Sequence, residues 1–102
     1  MKRNVIWRGV IIFLLQISFT SFAQDLNLYL KKEFTDRKGY SLPYRILLPE
    51  NYDKTKKYPL VLFLHGRGES GADNEKQLIH GAKLFLSAEA RKNFPTIVIF
   101  PQ

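Results

Sequence analysis

Two short runs almost free of polar residues dominate the second half of the chain. Leu60-Val61-Leu62-Phe63-Leu64 and Thr96-Ile97-Val98-Ile99-Phe100 lack the alternation of a half-exposed strand. Each predicts a strand buried on both faces, as in a parallel sheet covered by helices. Between them, Leu78, Ile79, Ala82, Phe85 and Leu86 fall at helical spacing and define one apolar face. Asn74 is the expected cap of that helix, with Gln77 placed to reach back. Gly81 costs about 1 kcal/mol inside a helix, so a break there into two short helices is expected, and Asn93-Phe94-Pro95 ends the helical stretch. Strand, loop, helix and strand together predict a βαβ unit, right-handed by the general rule.

Upstream the pattern is weaker. Leu26 to Phe34 reads as an extended segment, and Asp36-Arg37-Lys38-Gly39 is a turn with a glycine suited to positive φ. Tyr40 to Leu48 reads as the returning strand of an antiparallel hairpin, with Pro43 confining it near an edge or a bulge. Pro49 to Asp53 and the lysine-rich run to Pro59 form a surface loop. The first segment differs in kind. Lys2, Arg3 and Arg8 precede an apolar run from Val10 to Phe22, and Ser21-Phe22-Ala23 puts small residues before a cut ahead of Gln24. This is the pattern of a cleaved signal peptide over residues 1–23, leaving residues 24–102 as the mature segment. The run is interrupted by Gln16, Ser18, Thr20 and Ser21 and falls short of the ~20 apolar residues of a membrane span, so no stable membrane anchor is expected.

Charge and cysteine content narrow the classes. Of 16 basic residues three lie in the leader, leaving 13 against 9 acidic ones, a net +4. Most of the excess sits beside turns, in Lys31-Lys32, Arg37-Lys38 and Lys54 to Lys57, with no stacking aromatics spaced along it. Solvated surface is the expectation there, and nucleic acid is not an expected partner. With no cysteine and two histidines, neither a disulfide nor a thiolate metal site can form, and no metal is expected.

The candidate chemistry lies where the first apolar run ends, in His65-Gly66-Arg67-Gly68-Glu69-Ser70-Gly71-Ala72-Asp73-Asn74. A glycine-rich turn at the carboxyl end of a buried strand is where open α/β sheets bind ligands. Gly66 to Gly71 spells a dinucleotide fingerprint, but Ala72-Asp73-Asn74 delay the helix, Glu69 and Asp73 would face the phosphates, and no acidic residue ends the second strand. A nicotinamide-dinucleotide-binding domain is the weakest reading. A P-loop fails because Ala72-Asp73 stands where Lys-Ser or Lys-Thr is needed. The third reading is an oxyanion-hole loop, whose backbone N–H donors stabilise the charge that builds on a carbonyl oxygen during acyl transfer. An apolar strand followed by His65-Gly66-Arg67-Gly68 fits it.

Taken together, several motifs carry a family resemblance over roughly residues 40–102. They are Tyr44 to Pro49, Asn51-Tyr52-Asp53, Tyr58 through Gly66, Gly68 through Asn74, Gln77 through Gly81, and Phe94-Pro95 through Pro101-Gln102. In this order they resemble the front of a secreted α/β-hydrolase. The group is that of carboxylesterase and phospholipase-like proteins, or predicted peptidases, allied to dienelactone hydrolases and prolyl-oligopeptidase catalytic domains. The resemblance implies that Arg67 donates its backbone N–H to the oxyanion while His65, Gly66 and Gly68 shape the loop. It implies no cofactor, and a small-molecule ester or peptide-like substrate. It also implies that the Thr96–Phe100 strand lies between the Tyr40 strand and the Leu60 strand, with the nucleophile's strand beyond Leu60 to Leu64.

The nucleophile itself is missing. Such enzymes carry a Ser on a G-x-S-x-G elbow, then an acid, then a His. Gly68-Glu69-Ser70-Gly71-Ala72 lacks the last Gly, and Ser70 stands well past the strand. Ser41 and Ser87 read as structural or solvated. His65 and His80 precede any nucleophile and read as structural hydrogen-bonders, and Asp73 and Glu75 as capping acids. The expected fold is therefore α/β, an incomplete amino-terminal portion of an α/β-hydrolase sheet, inactive alone. A truncated hydrolase is the first reading and a non-catalytic binding module derived from one is the second. Either way Leu60 to Leu64 would be an unpaired apolar edge prone to association.

Overall fold

A computed structural model describes residues 25–102, so the predicted leader lies outside the described residues. Four strands form one sheet: β1 (Leu30–Thr35), β2 (Ser41–Leu47), β3 (Leu60–Leu62) and β4 (Ile97–Pro101). Their spatial order is β1-β2-β4-β3. The hairpin β1–β2 and the pair β2–β4 are antiparallel, whereas β3 and β4 run parallel. The last strand thus inserts between β2 and β3, as the resemblance implies. The segment from Leu26 is not extended throughout, because Leu26–Leu28 forms a 3-10 turn capped by the Asp25 carboxylate.

Pro43 sits in β2, a strand paired on both sides. It is tolerated there because its carbonyl, and hence its missing N–H, faces the side on which β4 ends: that carbonyl accepts the Gln102 N–H at 3.0 Å.

The β3–β4 crossover packs on one face of the sheet. It contains a 3-10 turn at Lys76–Leu78, then α1 (Ala82–Leu86) and α2 (Ala88–Asn93). Under it, Phe100 is fully buried, stacked on Phe63 with ring centroids 4.6 Å apart and met edge-on by Tyr29 at 5.3 Å. Leu47, Val98, Leu78, Ala82 and Leu86 complete the core. The buried Tyr29 hydroxyl donates to the Ala82 carbonyl at 2.8 Å, and burial pushes its pKa upward. Arg45 is buried as well. Its guanidinium donates to the carbonyls of Tyr29 at 2.5 Å and Asn74 at 2.7 Å, the partners a buried cation requires.

The opposite face corrects the expectation of strands buried on both sides. The register aligns Leu30, Ile46, Ile99 and Leu62 in a row across all four strands. Leu60, Leu62 and Leu64 on that face are exposed by 63%, 58% and 70%. The crossover covers only one face, and no described element covers the other. The apolar runs are a demand for two layers, of which the described residues supply one.

Two helical details also differ from the pattern. Ile79 is exposed and Gln77 is buried in its stead, because residues 76–78 form a 3-10 turn that rotates the face. The break falls at Gly81, as expected, and a second falls at Ser87, whose hydroxyl accepts the Ala90 N–H at 3.1 Å to start α2.

Candidate active site

Beyond β3 the chain leaves the sheet through Leu64 and His65 and winds into a 3-10 turn at Arg67–Glu69. Gly66 precedes it in extended conformation. The Gly66 carbonyl accepts two hydrogen bonds, from the Glu69 N–H at 3.1 Å and from His65 Nδ1 at 2.6 Å. A carbonyl can only accept, so Nδ1 is the donor in that contact. A side chain at position 66 would meet the Glu69 carboxylate, which lies 3.0 Å from the place of a Cβ; position 68 is open. At the start of the 3-10 turn, the backbone N–H groups of Arg67 and Gly68 have no acceptor among the described residues. Unpaired N–H groups at such a turn are free for a ligand.

The remaining loop is tied down. Asp73, not Asn74, caps the next turn: its carboxylate accepts the N–H groups of Glu75 at 3.0 Å and Lys76 at 3.2 Å. It also accepts Gln102 Nε2 at 2.7 Å, and these bonds, the Gln102 one first, hold its pKa down to about 2. Asn74 adopts positive φ, a conformation this residue type tolerates. Its side chain donates to the carbonyls of Lys32 and Tyr44, and accepts Gln77 Nε2 at 2.5 Å. Asn74 and Gln77 do pair, though not as a helix cap: Gln77 holds the Asn74 side chain, whose amide NH2 staples the loop to the hairpin.

The predicted residues His65, Gly66, Arg67 and Gly68 are therefore contiguous at the end of β3, and no triad is assembled around them. His80 is exposed, and its Nε2 lies 3.1 Å from the largely buried Glu69 carboxylate. Neither histidine hydrogen-bonds a serine hydroxyl among the described residues; Ser41 meets Thr35, and Ser87 caps α2. Among the described residues no group of three or more His, Asp or Glu side chains could hold a metal ion. The glycine turn leads into 3-10 turns, and the α-helix that follows begins only at Ala82, so the dinucleotide fingerprint lacks its helix terminus. An apolar hollow of about 420 Å³ lies between Leu47, Val61, Phe85 and α2, away from this loop.

No family model matches the chain. A search of solved structures finds a crystal structure of a thermostable esterase with TM-score 0.66 and 38% identity, over 72% of this chain and 21% of that one. The sheet thus has the fold of that esterase, as an incomplete α/β-hydrolase sheet, and is similar to proteins of an esterase and peptidase group. Dipeptidyl-peptidase 5 of Aspergillus fumigatus, from two strains, is 45% identical over 38 residues. That match covers 37% of this chain and 5% of the peptidase. This hydrolase sheet therefore spans about a fifth of the esterase and a twentieth of the peptidase. The signal that sequence reading missed is Gln102: nothing in its spacing reveals that it returns to Glu69, Asp73 and Asn74.

Proposed function

We propose that this chain is the amino-terminal part of an exported serine hydrolase acting on carboxylic esters, peptide-like substrates being the nearest alternative. Its loop contributes half of the oxyanion hole. The observation that carries the reading is the Arg67 N–H at the carboxyl end of β3, without an acceptor among the described residues, in a sheet of hydrolase order. Its likeness to an esterase supports the same reading.

In this reading a serine supplied downstream of Gln102 attacks the acyl carbon, and the carbonyl oxygen becomes an oxyanion. The Arg67 N–H donates to that oxyanion, and a second N–H comes from the residue after the nucleophile. Gly66 lets the backbone turn closely over Glu69. The Arg67 side chain takes no part. No serine, acid and histidine converge among the described residues, so the 102-residue chain alone is expected to be inactive.

The test uses the full-length protein that carries this chain. It should hydrolyse p-nitrophenyl acetate and be labelled covalently by a fluorophosphonate, while residues 24–102 alone do neither. Edman sequencing of the secreted product should begin at Gln24. A full-length protein that neither turns over the ester nor takes the label overturns the enzymatic reading in favour of a binding module.

A further inference from the structure

Gln102, just past β4, is the residue on which the oxyanion loop rests. Its backbone N–H is held in the sheet by the Pro43 carbonyl at 3.0 Å. Its side-chain amide then makes three bonds to the loop after β3. Nε2 donates to the Glu69 carbonyl at 3.3 Å and to the Asp73 carboxylate at 2.7 Å, and Oε1 accepts the Asn74 N–H at 2.6 Å.

These bonds span the loop from the end of the Arg67 turn to the staple at Asn74. On the near side the turn is closed by its own backbone, Glu69 to Gly66 and Ser70 to Arg67, with His65 Nδ1 on the Gly66 carbonyl and His80 beside the Glu69 carboxylate. Glu69 is common to both sets. Its N–H closes the turn that presents Arg67, and its carbonyl is the one Gln102 grips. A primary amide is the one group of this size that offers two donors and an acceptor together. A carboxylate at this position would face the Asp73 carboxylate and the Glu69 carbonyl with no proton to share.

We infer that Gln102 is a positioning residue for the oxyanion donor: it holds the Glu69–Asn74 segment against the sheet so that the Arg67 N–H points to a fixed place before substrate arrives. The inference rests on the proposed role of that N–H. Preorganised donors stabilise a transition state because no reorganisation is needed as charge develops. Loosening Gln102 should therefore lower turnover and leave ground-state binding nearly unchanged.

The experiment is done in the full-length protein with p-nitrophenyl acetate, comparing Gln102→Glu, Gln102→Ala, and Gln102→Glu combined with Asp73→Asn. The first two should lower kcat by on the order of 10-fold or more with KM within about twofold, as expected when a transition-state donor is misplaced. The combined variant removes the meeting of two carboxylates but still leaves the Glu69 carbonyl without its donor, so its kcat should stay close to that of Gln102→Ala. Hydrogen exchange read on peptides should quicken across residues 65–74 in the two single variants and stay unchanged in β1 and β2. That pattern separates local loosening from unfolding. Single variants that retain wild-type kcat, or that lose it with no change of exchange in the loop, overturn the inference while leaving the hydrolase reading intact. An unsubstituted protein that neither hydrolyses the ester nor reacts with a fluorophosphonate overturns both.

Discussion

The ring of Phe63 occupies the space that a side chain at Gly81 would need. A Cβ built at position 81 would lie 2.5 Å from the ring, and the glycine adopts φ +82°. Strand and helical crossover approach one another here more closely than any other residue would allow. The same ring stacks on Phe100, so the contact sets the distance between the crossover and the sheet.

Replacing Gly81 should therefore be costly twice over. Gly81→Ala forces the Phe63 ring to move, which costs about 1–3 kcal/mol by overpacking, and it strains a left-handed backbone by about 1–2 kcal/mol more. A lower thermal midpoint of the full-length protein is the expected result. An unchanged midpoint would show that crossover and strand are not in this close contact.

The proposed role of Arg67 separates cleanly into backbone and side chain. Arg67→Ala keeps the N–H and should leave kcat within about twofold. Arg67→Pro deletes the N–H, and removing one oxyanion donor costs on the order of 10²–10³ in kcat. Proline suits the first position of such a turn, and the extended Gly66 before it suits a following proline, so the fold should survive. Equal activity in both variants would assign the oxyanion elsewhere.

Acid should release the loop through Asp73. Its pKa is lowered in the folded chain from 3.8 to about 2, so it contributes stability that is present above pH ~4 and is lost as pH falls through the folded value. Between pH 4 and 2, hydrogen exchange across residues 69–76 should accelerate relative to β2. Asp73→Asn should remove that acid dependence. A loop that exchanges at a constant ratio across this window would show that the carboxylate does not hold it.

The bare face and the β3 edge should make residues 24–102 associate on their own. Leu30, Ile46, Ile99 and Leu62 form a continuous apolar row, and β3 has no partner on its outer side among the described residues. Light scattering should show concentration-dependent oligomers, and Leu62→Lys should reduce them by placing a charge in the middle of the edge. A monodisperse 79-residue monomer would contradict this.

Much of this architecture was legible along the chain because it depends on local periodicity. The two apolar runs, the turn at Asp36 to Gly39, the break at Gly81 and the stop at Pro95 all follow from residue type and near spacing. The glycine turn at His65 to Gly68, directly after an apolar strand, is likewise a short-range signal. The apolar content of β3 and β4 was also read as a demand for cover on both faces, and no local pattern says which residues will provide it.

What the order of residues could not disclose depends on partners far apart in the chain. Asn74 is not the cap because its side chain meets carbonyls on β1 and β2, 42 and 30 residues away, which leaves the turn to Asp73, already legible as a capping acid. Arg45 is buried, though charged, because folding brings it the carbonyls of Tyr29 and Asn74. Gln102 meets the loop because β4 lies between β2 and β3 and ends beside it. Periodicity along one strand specifies a face and a turn, but a hydrogen-bond partner is a meeting in space, and that is decided by the packing of the whole sheet.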